Sequence, residues 1–203
     1  MQNSVRSSDQ PQQAATRKNP HRVCPWWIGY MLASPVRRLF NNPARLLGAH
    51  VRPGMTVLEP GPGMGFFTLE LARLVGDTGR VIAVDIQARM LAGLRRRAAR
   101  AGLLDRVEAR QALPDSLGLT DLAAMVDFTL AYAVVHELPA AASFFREVAR
   151  ASKLGARLLL VEPKGHVSLS LFGGELRAAG EAGFKSLDSH EEGGTYKELL
   201  ERV

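Results

Sequence analysis

Thr56-Val57-Leu58-Glu59-Pro60-Gly61-Pro62-Gly63-Met64-Gly65-Phe66-Phe67-Thr68 is the stretch on which the reading of this chain turns. It opens as a short run that ends in Glu59, three glycines follow at alternate positions, and residues 66–75 then repeat apolar side chains at helical spacing. A strand, a tight turn and a helix are expected in that order. Glycine lets the backbone turn sharply and come close to a ligand, while Pro60 and Pro62 fix their own backbone angle and stiffen the turn. A second apolar run, 81–85, closes on Asp85, twenty positions beyond Gly65. An acidic side chain at the end of the second strand is placed to accept hydrogen bonds from ribose hydroxyls, so the pattern indicates a nucleoside-containing cofactor.

The glycine spacing separates the cofactor classes. Nicotinamide and flavin folds use G-x-G-x-x-G, whose helix start faces a pyrophosphate. Here the spacing is Gly61-x-Gly63-x-Gly65 with Glu59 in front of it, and a carboxylate there repels a diphosphate but suits an amino group. Working outward, helical patterns at 88–101 and 144–151 alternate with short apolar runs at 107–110, 128–135 and 157–162. Unbroken apolar runs of this length, each followed by a helix, are the signature of strands covered on both faces. The expected architecture is α/β: a Rossmann-like, doubly wound, mostly parallel sheet with helices on both faces and an N-terminal helical extension.

On Glu59, Gly61, Gly63, Gly65 and Asp85 the chain resembles the class I S-adenosylmethionine-dependent methyltransferases, and the resemblance runs from about Val51 through Glu162. It implies S-adenosyl-L-methionine as cofactor and S-adenosyl-L-homocysteine as product. It also implies that the glycine turn lies against the methionine part, that Asp85 holds the ribose and that Ile86 flanks the adenine. After the third strand the family places an acidic or amide side chain near the adenine amino group. Gln111 and Asp115 lie in that region; Asp115 is preferred, with a helix cap at Asp115 or Ser116 as the competing reading. Ala131, near the end of the fourth strand, completes the cofactor-side set. Beyond Gly183 the resemblance implies two final strands, although Tyr196, Leu199, Leu200 and Val203 also fit a helical stripe.

Candidates for the chemistry follow the fourth strand. Ligands in open α/β sheets bind at the carboxyl ends of strands, which puts His136 and Glu137 where an attacking hydroxyl or thiol is deprotonated. The competing reading is that His136 packs or caps the next helix. Glu162-Pro163-Lys164-Gly165-His166, after the fifth strand, offers charged groups to a substrate at the same edge, with ordinary loop polarity as the equal competing reading. The Asn-Pro-Pro-Tyr type of motif found in methyltransferases acting on nucleic-acid amino groups is absent, which speaks against a base-modifying role.

Composition sets the outer bounds. With 203 residues, 46% hydrophobic and 23% charged, the chain can bury one sizeable core. Twenty-six basic against twenty acidic residues give a net charge of +6, part of it concentrated in Arg95, Arg96, Arg97 and Arg100. That run suits an anionic partner such as nucleic acid, or it is the solvated face of a helix whose apolar stripe is Met90, Leu91 and Leu94. The single cysteine, Cys24, excludes an internal disulfide and a cysteine-based zinc site within one chain and argues against an arsenic substrate; a reducing, cytoplasmic setting and no metal are expected. The apolar stretch 23–33 is interrupted by Pro25 and Gly29 and is too short to span a bilayer as a helix.

Three segments are expected. Residues 1–22, rich in Gln, Ser, Asn and Pro, read as a flexible tail, and 23–50, with Trp26, Trp27 and Tyr30, as a helical lid or cover. Residues 51–203 form the cofactor-binding domain. Within the middle segment, Asn42 before Pro43 is a helix-start signal. The functional expectation is methyl transfer to a small or medium-sized acceptor. Its alternative is a nonenzymatic nucleic-acid-binding protein on the same scaffold.

Overall fold

The computed structural model describes residues 42–192 and 194–203. The expected tail, most of the lid or cover, Cys24 and both tryptophans lie outside the described residues. Description begins at the Asn42 cap, whose side chain accepts a hydrogen bond from the Arg45 amide at 3.3 Å with Pro43 in the first turn, as the Asn-Pro pair predicts. This short helix α1, Pro43–Leu47, packs Leu47 into the core.

The alternating unit follows: β1 (Thr56–Pro60), α2 (Thr68–Leu74), β2 (Arg80–Asp85), α3 (Ala88–Arg100), β3 (Val107–Gln111), β4 (Val126–Tyr132), α4 (Ala141–Ala151), β5 (Ser152–Pro163), α5 (Leu169–Glu181), β6 (Phe184–Glu192) and β7 (Thr195–Arg202). They build one seven-stranded sheet in the order β3-β2-β1-β4-β5-β7-β6. The first five strands pair in parallel, and β7 is antiparallel to both β5 and β6.

Successive residues of each strand point to opposite faces, and both faces are apolar. Leu58, Ile82, Val84, Leu158 and Leu160 meet Phe144 and Phe145 of α4 and Phe172 of α5 on one side. Val57, Val81, Ala83, Leu159 and Val161 meet Leu71 of α2 and Leu91 and Leu94 of α3 on the other. The last part of the chain is strand, not helix: pairing with β5 supplies the backbone partners, and Glu198 and Leu200 are buried at the two-residue period of a pleat.

Two boundaries differ from the sequence reading. The helix expected from residue 66 starts at Thr68, because residues 63–67 are spent closing the glycine turn. The strand expected over 128–135 stops at Tyr132: Ala133 adopts φ 52°, a left-handed conformation that costs a non-glycine residue about 1–2 kcal/mol, and residues Val135–Glu137 form one 3₁₀ turn. Two arginines of the basic run serve the fold. Arg95 donates to the Ala109 carbonyl of β3, and Arg97 donates to the Met64 carbonyl within the glycine turn. Among the described residues no helix is long and apolar enough to cross a membrane.

Candidate functional site

The strand order reverses between β1 and β4: the chain moves from β1 to β2 and β3 on one side, then returns to place β4 and β5 on the other. A crevice forms outside the carboxyl ends of strands at such a point. Three groups of residues converge on this edge: the glycine turn after β1, Asp85 at the end of β2, and the turn after β4.

The glycine turn is held from both sides. Gly61 donates its amide to the Val84 carbonyl at 2.9 Å, and Gly65 donates to Pro62 at 2.9 Å. The three glycines have positive φ, but they differ in what surrounds them. A Cβ on Gly61 would strike Val134 of the turn after β4, and one on Gly65 would strike Leu94 of α3, so these two permit close packing. A Cβ on Gly63 would meet nothing within 4 Å; the open side of the turn is there.

Asp85 fastens the turn to β2. Its Oδ2 accepts the Gly63 amide at 3.3 Å and its Oδ1 accepts the Gln87 amide at 2.8 Å. Burial raises its pKa and the two amides oppose that rise. Glu59 is buried at 3% exposure and accepts a hydrogen bond from the Thr68 hydroxyl at 2.5 Å. Burial pushes its pKa up to about 8, against the Thr68 bond. The donor set fits an S-adenosyl group: a desolvated carboxyl is stabilised by an ammonium, each Asp85 oxygen keeps a lone pair for a ribose hydroxyl, and Gly63 leaves room for a ligand against its backbone.

At the end of β4 the 3₁₀ turn presents His136. Its Nδ1 lies 2.6 Å from Oε2 of Glu162, a fully buried residue near the end of β5. The other Glu162 oxygen accepts the Val135 amide at 2.9 Å and the His136 amide at 3.4 Å, so one side chain orients both the turn and the ring. The bond to Glu162 raises the His136 pKa above the usual imidazole range, burial opposes it, and Glu137 and Glu175 add negative potential. The ring of His166 stands 5.6 Å from that of His136.

Residues 52–202 match the sequence family described as a methyltransferase domain. The chain belongs to this family. It is similar to the ubiquinone/menaquinone biosynthesis C-methyltransferase UbiE of an Enterobacter species, with 35% identity over 115 residues, 55% of this chain and 44% of that protein. The chain thus aligns with less than half the length of this curated relative. Among solved structures, an S-adenosylmethionine-dependent methyltransferase from Aquifex aeolicus superposes with a TM-score of 0.80 and 25% identity, covering 89% of this chain and all of the other. Geranyl diphosphate C-methyltransferase from Streptomyces coelicolor, crystallised with S-adenosyl-L-homocysteine, shares the fold at a TM-score of 0.66 and 17% identity, covering 82% and 80% of the two chains. The sheet and the cofactor class expected from the glycine turn are those of the S-adenosylmethionine-dependent methyltransferases.

In this chain Glu59, Gly61, Gly63, Gly65 and Asp85 come together at one edge, with Ile86, 40% exposed, next in line. Gln111 donates its side-chain amide to the Ile86 carbonyl at 3.3 Å. Asp115 is exposed at the tip of a tight turn closed by Leu113 and Ser116. No helix starts there, which corrects the capping alternative; the Ser116 hydroxyl instead donates to Glu147 of α4. Ala131 is fully buried inside β4, so its side chain belongs to the core and not to the crevice.

Sequence reasoning weighed Glu162 equally as a group offered to a substrate and as loop polarity, and did not single out Thr68 or Glu175. Thr68 had a signal, a hydroxyl at the helix start after a glycine turn. So did Glu175: it stands three residues after Phe172 and four before Ala179, a carboxyl on the buried stripe of α5.

Proposed function

We propose that this chain binds S-adenosylmethionine between the glycine turn and Asp85 and transfers its methyl group to a small-molecule acceptor, with His136 as the base that takes the acceptor's proton. The observation that carries the proposal is the 2.6 Å contact between His136 Nδ1 and Glu162. A carboxyl at Nδ1 holds the proton on that nitrogen and leaves the Nε2 lone pair free to receive one. The fully buried Glu162, held in turn by two backbone amides, keeps the ring from rotating away.

S-adenosylmethionine, when bound, supplies a methyl group already activated on a sulfonium, so the chain's own work is to bind, align and deprotonate. Glu59 faces the ammonium, Asp85 the ribose hydroxyls and Ile86 the adenine, while Gly63 lets the backbone lie against the ligand. Asp115, exposed on the turn after β3, is the acid assigned to the adenine amino group. Glu137, on the same 3₁₀ turn as His136, favours the imidazolium that forms when the proton arrives.

A small-molecule acceptor is supported by relatives named for quinone and geranyl diphosphate methylation. A nucleic-acid partner is disfavoured because Arg95 and Arg97 use their guanidinium groups on backbone carbonyls. A cytoplasmic setting belongs to the same reading, supported by the lone cysteine. Titration calorimetry with S-adenosylhomocysteine tests the proposal: saturable one-site binding is expected, and no heat at high micromolar protein overturns it. Labelled S-adenosylmethionine with a panel of hydroxyl, thiol and nucleophilic-carbon acceptors then identifies the substrate.

A further inference from the structure

Glu175 of α5 is buried at 3% exposure, and both of its carboxyl oxygens lack a hydrogen-bond partner. A side chain with no partner in the interior is costly and calls for an explanation. Its surroundings supply one. Glu175 lies close enough to Glu162 and His136 for their charges to act on it: Glu162 raises its pKa and His136 lowers it, the two effects secondary to burial, which does most to bring it to about 8.

We infer that Glu175 is the third member of the acid/base cluster at the end of β4 and β5, where its charge tunes the His136 imidazole without touching the transferred methyl group. The inference rests on the methyl-transfer reading above. The charged and titratable groups around His136 come from every neighbouring element: Glu137 from its own turn, Glu162 from β5, His166 from the loop that follows, and Glu175 from α5. Glu162 already has three N–H groups at its oxygens. Glu175 has none, so His136 alone offsets the cost of ionising it in the interior.

The consequence is a reciprocal linkage. When His136 Nε2 receives a proton, the new positive charge makes the Glu175 proton easier to release; when Glu175 ionises, it holds the His136 proton more tightly. The acceptor's proton ends on His136, and an ionised Glu175 favours the imidazolium that results.

Long-range ¹H–¹⁵N spectra of the imidazole groups of the full chain, titrated from acid to alkaline pH, test this. In the wild type the His136 signals should show a main step and a second inflection near the ionisation of Glu175. Glu175→Gln should abolish the second inflection and move the main midpoint downward; Glu175→Met, which keeps the volume without a polar group, should do the same and guards against an effect peculiar to the amide. His136 curves in both variants that superimpose on the wild type overturn the assignment, provided circular dichroism shows them folded. S-adenosylhomocysteine calorimetry on the wild type separates the two readings. Absence of binding there removes methyl transfer and with it the acceptor-side role, whereas normal binding with unchanged His136 curves removes Glu175 alone.

Discussion

Replacing Glu162 by Gln isolates the orientation of His136 from the packing around it. The amide has nearly the volume of the carboxyl, and its oxygen can still accept the Val135 amide, now 2.9 Å from Oε1. Its NH₂ then occupies the place of Oε2, 2.6 Å from Nδ1, and a donor there requires Nδ1 to become the acceptor. The ring's proton moves to Nε2, which removes the lone pair proposed to take the acceptor's proton. The expected loss is the contribution of a positioned base, about a hundred- to ten-thousand-fold in kcat, with S-adenosylhomocysteine affinity unchanged. Stability falls as well: a hydrogen bond to a charged group contributes about 2 kcal/mol, which in a domain of this size corresponds to roughly 4–8 °C of melting temperature. The sign of its pH dependence is fixed. The folded-state pKa of His136 is raised above its ordinary value of 6.5, so the stabilisation is fully present below that value and is lost as pH rises through the folded pKa. Thermal melts of wild type and variant should therefore differ most in mild acid and converge in alkali. A difference that is constant or grows with pH, or a variant with wild-type turnover, refutes the reasoning.

Asp85→Ala should weaken S-adenosylhomocysteine binding by about ten- to a hundred-fold in calorimetry, the loss of one hydrogen bond to a charged group; an unchanged Kd removes Asp85 from the ribose site. Gly65→Ala drives a methyl into Leu94 at a left-handed φ of 81° and should destabilise the fold by about 2–3 kcal/mol. Gly63→Ala has open space, so it should melt within about 1–2 kcal/mol of wild type and fail mainly in ligand binding; normal affinity would mean that the open side of the turn is not the ligand side. Glu59 has a folded pKa of about 8 against an ordinary 4.5, so without ligand its burial favours folding below that lower value and the advantage is lost as pH rises through about 8. Ligand-free Glu59→Gln should therefore gain on the wild type in melting temperature across that interval while binding S-adenosylhomocysteine more weakly; parallel melting curves would contradict the burial argument.

Local patterns were enough for the proposed cofactor half of the site. Strand, glycine turn, helix and terminal Asp85 are contiguous or one unit apart, and each is dictated by backbone freedom and apolar period, so the sequence alone determined the cofactor class and the doubly wound sheet. The proposed catalytic half was legible only in part. His136 stood out by its place after the fourth strand, but whether it orients a proton or merely packs depends on Glu162, twenty-six residues away on a neighbouring strand. Glu175 is farther along still, and no local rule ties a helical glutamate to a histidine three elements earlier. The last two strands were ambiguous for the same reason: Leu199 and Leu200 fit a stripe of either period until β5 offers its backbone groups. Hydrogen-bond partners distant in the chain have no sequence signature of their own. Tertiary structure alone decided that the acid beside His136 comes from the end of β5, and that a second acid is buried beside it with no donor to satisfy it.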